Sequence, residues 1–244
     1  MEKIRSTVDN LDVLYEDNHL IAVNKRPGDI VQGDKTGDLP LSEVVQQYLK
    51  IKYNKPYRAF VGVVHRLDRP TSGVILFART SKAMERVNKQ FASREVQKMY
   101  WAIVQGTPHP QEAELIHYMM RNTKQNKSYA HRKEFPFSKY AKLQYQVMQE
   151  LDHYTWLQVQ LFTGRHHQIR AQISSIGHPI KGDMKYQASR SNKDGSIHLH
   201  ARSLTIVHPV RKEPITFTAD PPEYDAIWKA CMESVKKQKL KLSS

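Results

Sequence analysis

One carboxylate in this chain is set apart by its neighbours. Residues 65–73 read HRLDRPTSG, which surrounds Asp68 with His65, Arg66 and Arg69 and breaks the backbone at Pro70 and Gly73. Opposite charge nearby favours the ionised form of an Asp and lowers its pKa. An ionised carboxylate held in a loop is a candidate nucleophile or general base. A second constellation, residues 161–170, reads LFTGRHHQIR. The pattern predicts a strand ending at Phe162 and a helix starting near Gly164, with Thr163 as N-cap. Free N–H groups and Arg165 in that first turn form a candidate site for a phosphate or a carboxylate. On a helical wheel Arg165, Gln168 and Gln172 share a polar stripe beside Ile169, Ile173 and Ile176. Arg165 and Gln168 are therefore expected to face a site while the isoleucines anchor the helix.

A third segment, KMYW at residues 98–101, pairs basic and aromatic side chains. In a strand Lys98 and Tyr100 share one side and Trp101 takes the other. Tyr100 then either lines a site where a base can stack, or sits in the core with its hydroxyl at the rim. Of 12 histidines, His166 and His167 are adjacent and point in different directions on a helix, whereas His198 and His200 share a strand face. No HExxH or carboxylate-rich cluster accompanies them, so hydrogen-bonded or surface histidines are expected and no metal.

Elements must position these groups. Residues 61–64 and 74–78 are apolar runs that read as strands on either side of the Asp68 loop, and loops on rigid flanks often carry function. Residues 11–24 read as two short strands with a turn at 16–18. Leu41, Val44, Val45 and Tyr48 recur at helical spacing after Pro40, and a second helix is expected from Thr80 with Met84, Val87 and Phe91 buried. Strands are expected at 98–104, 112–118, 141–147, 157–161, 203–208 and 215–218, and residues 122–138 as a polar, basic excursion. Many strands and few helices without regular alternation predict an α+β fold on a mixed, mostly antiparallel sheet. The expected organisation is an N-terminal extension over 1–10, a catalytic domain over 11–228 and a basic tail over 229–244, in which Lys236, Lys237, Lys239 and Lys241 are expected to fray.

Charge narrows the partner. Lys and Arg number 38 against 24 Asp and Glu, a formal net charge of +14. Such a field attracts polyanions, and nucleic acid is the expected partner. The single cysteine, Cys231, excludes an internal disulfide and a cysteine metal cluster. No apolar run approaches a membrane span, and the first ten residues lack a signal-peptide core, so a cytoplasmic protein is expected.

Taken in order, the segments resemble the RluA-type family of RNA pseudouridine synthases. LYEDNHLIAVNKRPG, HRLDRPTSG, KMYWAIVQG, LFTGRHHQIRAQISSIGHPIKGD and the closing LHARSLTIVHP with EPITFTADPP are similar to that family's successive segments. The resemblance spans about residues 11–224 and implies isomerisation of uridine in transfer or ribosomal RNA, without cofactor or metal; a monomer is the separate expectation. It implies that Asp68 is the essential carboxylate, that Arg165 pairs with it and that Tyr100 stacks on the target base and is a candidate for abstracting the carbon-5 proton. It implies that Arg66 enters the RNA where the base has been flipped out, with His65, Lys98, Gln168 and Arg170 as further RNA contacts. One departure is Gln172, where many relatives carry a histidine. Two other readings are a non-catalytic RNA-binding protein, which needs no Asp in a basic loop, and a metal-dependent nuclease using the histidines.

Overall fold

The computed structural model describes residues 5–34 and 36–242, with side chains through residue 237. Its frame is one 11-stranded sheet. The strands are β1 (Val13–Glu16), β2 (Leu20–Lys25), β3 (Gly62–Val63), β4 (Ser72–Ala78), β5 (Gln97–Gln105), β6 (Glu112–Asn122), β7 (Lys127–His131), β8 (Lys139–Glu150), β9 (Tyr154–Leu161), β10 (Leu199–Val207) and β11 (Pro214–Thr218). The helices are α1 (Leu41–Lys52), α2 (Ser81–Ser93), α3 (Gln168–Ser175) and α4 (Ala226–Leu242). The order across the sheet is β1-β2-β4-β10-β5-β9-β8-β6-β7, with β3 on β4 and β11 on β10. Every pairing is antiparallel except β4 with β10, so the expected mixed, mostly antiparallel α+β architecture is the one observed.

Period-2 alternation sorts the core onto two faces. Leu20, Ala22, Val74 and Leu76 pack with Val87 of α2, whereas Ile21, Val23, Ile75 and Phe77 pack with Leu41, Val44 and Val45 of α1. In the other half, Tyr100, Ala102 and Val104 meet Ile169 and Ile173 of α3, and Trp101 and Ile103 meet Trp228 and Cys231 of α4. Val96, just before β5, belongs to the α2 cluster, and one cleft is lined by Phe91 of α2 and by Gln168, Ile169 and Arg170 of α3. Helices α2 and α3 therefore lie on one face, with a cleft between them.

Local chemistry explains where the helices start. The Thr80 hydroxyl accepts from the Ala83 N–H at 3.1 Å and caps α2 as expected of an N-cap threonine. α3 departs from expectation. It starts at Gln168, not near Gly164, and Thr163 is not its cap. The Thr163 hydroxyl instead accepts from the Lys142 N–H and donates to Gln168 Oε1, tying the end of β9 to β8.

Three other expectations are corrected. The strand over 61–64 shrinks to Gly62–Val63, and the excursion over 122–138 contains β7, paired to β6 in a hairpin. The tail does not fray at its start. α4 buries Trp228 and Cys231 against the sheet, a contact that its sparse apolar positions concealed; the side chains of Lys239 and Lys241 lie outside the described residues. Within the N-terminal extension, Ser6 is buried and bonds Asp29 through both its N–H and its hydroxyl. No described helix is long and apolar enough to cross a membrane.

Candidate active site

The loop carrying Asp68 leaves β3, passes over the end of β4 and turns back into it. Thr71 N–H donates to the Asp68 carbonyl at 3.0 Å, closing the turn. Gly73 then enters β4 with φ +114°, and a Cβ there would lie 2.6 Å from the Ala201 nitrogen. Only glycine permits this approach of β4 to β10, which brings the loop onto the sheet. Beneath the loop Lys25 is fully buried, and its ammonium donates to the carbonyls of Arg26, Arg69 and Thr71 at 3.0, 3.1 and 2.6 Å. Burial pushes the Lys25 pKa down to about 7, although Asp29 and Asp68 favour its charge. This lysine fixes the loop backbone by its carbonyls, a role that its sequence position did not disclose.

Asp68 opens into a cleft of ≈330 Å³ whose walls include Arg66, Tyr100, Arg165, His167 and Arg170. The arginine that pairs with it is Arg170, not Arg165. Arg170 Nη1 lies 2.9 Å from Asp68 Oδ2, while its Nε and Nη2 donate to the two oxygens of Asp183 at 2.6 and 2.8 Å. Arg165 stays on the cleft wall without reaching Asp68, and its Nε donates to the Tyr140 carbonyl at 2.9 Å. The reason is the late start of α3. Residues 164–167 form a turn outside the helix, so Arg165 diverges and Arg170, in the first helical turn, reaches inward.

Burial raises the Asp68 pKa, but the neighbouring His167 and Arg170 outweigh it and leave the carboxyl below its ordinary value. The carboxylate is therefore ionised at neutral pH. Tyr100 lines the cleft opposite, and its phenol is pushed up, first by burial and then by Asp68. A phenol held protonated is a surface for a ring to stack on.

The expected RNA contacts divide. Arg66 is exposed at the cleft and Lys98 lines it half-buried, its pKa lowered by burial and by Arg94. His65, Gln168 and Arg170 also line the cleft, each held by partners within the protein. His65 Nε2 accepts from the Leu76 N–H at 2.9 Å, its ring stacks on Phe91 at 5.2 Å, and burial pushes its pKa down to about 3. Gln168 is buried and bonds Thr163, the Arg165 N–H and the Lys142 carbonyl. Arg170 is committed to its two carboxylates. Gln172, expected on the polar stripe, is buried and donates to the Leu115 carbonyl and to His117.

His198 lies 3.0 Å from Asp225 and His200 bonds Ser72 and the Ala219 carbonyl, each on its own partners. Among the described residues no group of His, Cys, Asp or Glu is arranged to hold a metal ion. A larger hollow of ≈700 Å³, lined by Lys25, Ser72, Asp194 and Asp220 among others, does not include Asp68. His167, weighed in the sequence only as a metal ligand, stands beside Asp68, with its Nε2 3.5 Å from Asp68 Oδ2. Its proximity to Asp68 is a tertiary fact that the HHQ spacing could not signal.

The family model described as RNA pseudouridylate synthase matches residues 19–175. The chain is 34% identical over 214 residues to the dual-specificity RNA pseudouridine synthase RluA of Haemophilus influenzae, covering 86% of this chain and 92% of that one. It is 32% identical over 236 residues to tRNA pseudouridine synthase C of the same organism, with the same shares. The solved structure of human RNA pseudouridylate synthase domain containing 4 superposes with a TM-score of 0.73 at 24% identity, covering 87% of this chain and 89% of that one, which shows the shared fold. The chain belongs to the RNA pseudouridine synthases, which are isomerases. Within them it is a member of the RluA-type family.

Proposed function

We propose that this enzyme isomerises specific uridines in transfer or ribosomal RNA, with Asp68 as the catalytic carboxylate. The observation that carries the reading is the ionised Asp68, held by Arg170 in a cleft walled by Tyr100. The reaction breaks the C1′–N1 bond, forms C1′–C5 and moves a hydrogen from C5 to N1. A stacked nucleotide cannot present its glycosidic bond to a recessed Asp, so the target is flipped out. Arg66, exposed at the cleft, is placed to fill the vacated stack with a planar cation. An adduct at the ribose and a glycal intermediate both require the ionised form of Asp68. The names of the two Haemophilus relatives, one dual-specificity and one a tRNA enzyme, support transfer or ribosomal RNA as the substrate.

The test is Asp68→Asn. It should keep the fold and RNA binding while pseudouridine formation falls below detection. Mapping pseudouridine in total RNA from cells with and without the gene identifies the target positions. Undiminished product from the variant would remove Asp68 from the mechanism.

A further inference from the structure

The polar, basic segment between β6 and β8 holds a turn that takes no part in the chemistry at Asp68. Phe135, Pro136, Phe137 and Ser138 form a β-turn, closed by the Ser138 N–H donating to the Phe135 carbonyl at 3.1 Å. The Ser138 hydroxyl donates to the same carbonyl at 2.6 Å and accepts from the Phe135 N–H at 3.1 Å. Proline at the second position and a positive φ at the third are the type II pattern, whose third residue is ordinarily glycine or asparagine. Here that residue is Phe137, at φ 67°. A bulky side chain is disfavoured in this left-handed region because its Cβ crowds the backbone.

The two phenylalanines of the turn have different surroundings. Phe135 is half-buried, and its ring meets His131 edge-on with centroids 4.7 Å apart. That contact and the three hydrogen bonds hold the turn. Phe137 is 90% exposed, more than any other large apolar side chain among the described residues. Its ring gains no packing in the free protein, and its backbone is strained. Glycine would satisfy both the conformation and the exposure. Strain of this kind persists at binding sites, where it holds a group in place beforehand.

The neighbourhood indicates what covers the ring. Over residues 122–139 the basic side chains are Lys124, Lys127, Arg132, Lys133 and Lys139, and the only acidic one is Glu134. Arg132, Lys133 and Lys139 are exposed on either side of the turn. An aromatic ring among exposed cations complements a polyanion whose bases offer π faces. The turn is also continuous with the cleft. Tyr140 lies three residues on, at most about 11 Å of chain, and its carbonyl accepts from Arg165 on the cleft wall. Arg121, near the end of β6, lines the same cleft.

We propose that Phe137 stacks on an unpaired base of the RNA, a few nucleotides from the uridine at Asp68, while Arg132, Lys133 and Lys139 meet the adjoining phosphates. This rests on the RNA-isomerising reading of the cleft. Single-stranded loops splay their bases onto aromatic side chains, and such stacking tolerates any base. The contact therefore selects a shape, an unpaired nucleotide at a set distance from the target, and not a base identity. A turn already rigid in the free protein loses little entropy on binding.

The experiment uses the full chain and an RNA that the wild type modifies. Phe137→Gly removes the ring and suits the backbone. It should raise Kd and KM about tenfold, within the range of base–aromatic stacking, with kcat within twofold and the thermal midpoint unchanged or raised. Phe137→Trp should bind as the wild type does. Abasic nucleotides placed one at a time beside the target should include one position that weakens wild-type binding and leaves Phe137→Gly no weaker than before. Wild-type Kd in Phe137→Gly, a lowered thermal midpoint, or equal added losses in the variant at every abasic position would each overturn the proposal. So would self-association of the wild type in sedimentation that Phe137→Gly abolishes, because a second copy would then cover the ring. Wild-type protein that makes no pseudouridine in any cellular RNA would instead remove the functional reading beneath it.

Discussion

The two sides of the Asp68 loop use the same chemistry to different ends. On the outer side Arg69 bonds Asp38, Asp34 and the Thr36 hydroxyl, and Arg5 joins Asp38 at 3.0 Å. On the inner side Asp68 and Asp183 share Arg170, whose side chain is 5% exposed. The outer arginine is the sequence neighbour of Asp68 and points away from it. The inner one lies 102 residues along the chain. Exposed ion pairs are screened and side-chain entropy opposes them, whereas a buried charge that loses its partner bears its full desolvation cost. The outer network therefore steers the loop and removes Arg69 from the cleft, while the inner one carries the energetic weight and sets the charge of the carboxylate.

The largest effect should come from Arg170→Met. It leaves two carboxylates without their common cation, one of them the buried Asp183. Unfolding free energy should fall by about 3–5 kcal/mol, and pseudouridine formation should fall to background in whatever fraction stays folded. Chemical denaturation and a product assay on the same preparation check both. A stable, active Arg170→Met would erase the contrast between the two sides.

Next comes pH. Arg170 remains protonated throughout, so Asp68 is the group that titrates. Its pKa is lower in the folded chain than the ordinary carboxylate value of about 3.9. Its contribution to stability is thus complete above about pH 4–5 and is lost as pH falls through the folded pKa. The difference in thermal midpoint between wild type and Asp68→Asn should be constant near neutral pH and shrink in acid. A difference that grows on acidification would reverse the assigned sign.

A smaller effect lies at Thr71, whose buried hydroxyl has no hydrogen-bond partner among the described residues. Thr71→Val keeps the shape and removes a desolvated polar atom, so stability should rise by about 1 kcal/mol. A loss of stability in calorimetry would show the hydroxyl to be paired in solution. The smallest effect should be Asp38→Asn on the outer side, with thermal midpoint and turnover both indistinguishable from wild type. A marked drop in turnover there would mean that the outer network also positions Asp68.

Much of the fold was readable because alternation is local. The period-2 pattern over 141–147 and 157–161 is β8 against β9, and Thr80 starts α2 as a threonine before an amphipathic run should. The site was readable where its chemistry is also local: Asp68 in a basic turn, with the backbone broken at Pro70 and Gly73. The helix start near 164 misled because Thr-Gly-Arg carries every N-terminal signal. Here those groups are spent on β8 through Lys142, and four more residues pass before the helix begins.

The sequence by itself determined the carboxylate set in a basic loop, the sheet-dominated fold and, by the order of its segments, the family. Tertiary structure alone decided which arginine balances Asp68, that Lys25 holds its loop from below, and that His167 stands beside it. Side-chain preference and hydrophobic period act over a few residues, so a sequence reports them. A charge pair 102 residues apart depends on where each element starts and how the strands register. A shift of a few residues in one helix start exchanged Arg165 for Arg170.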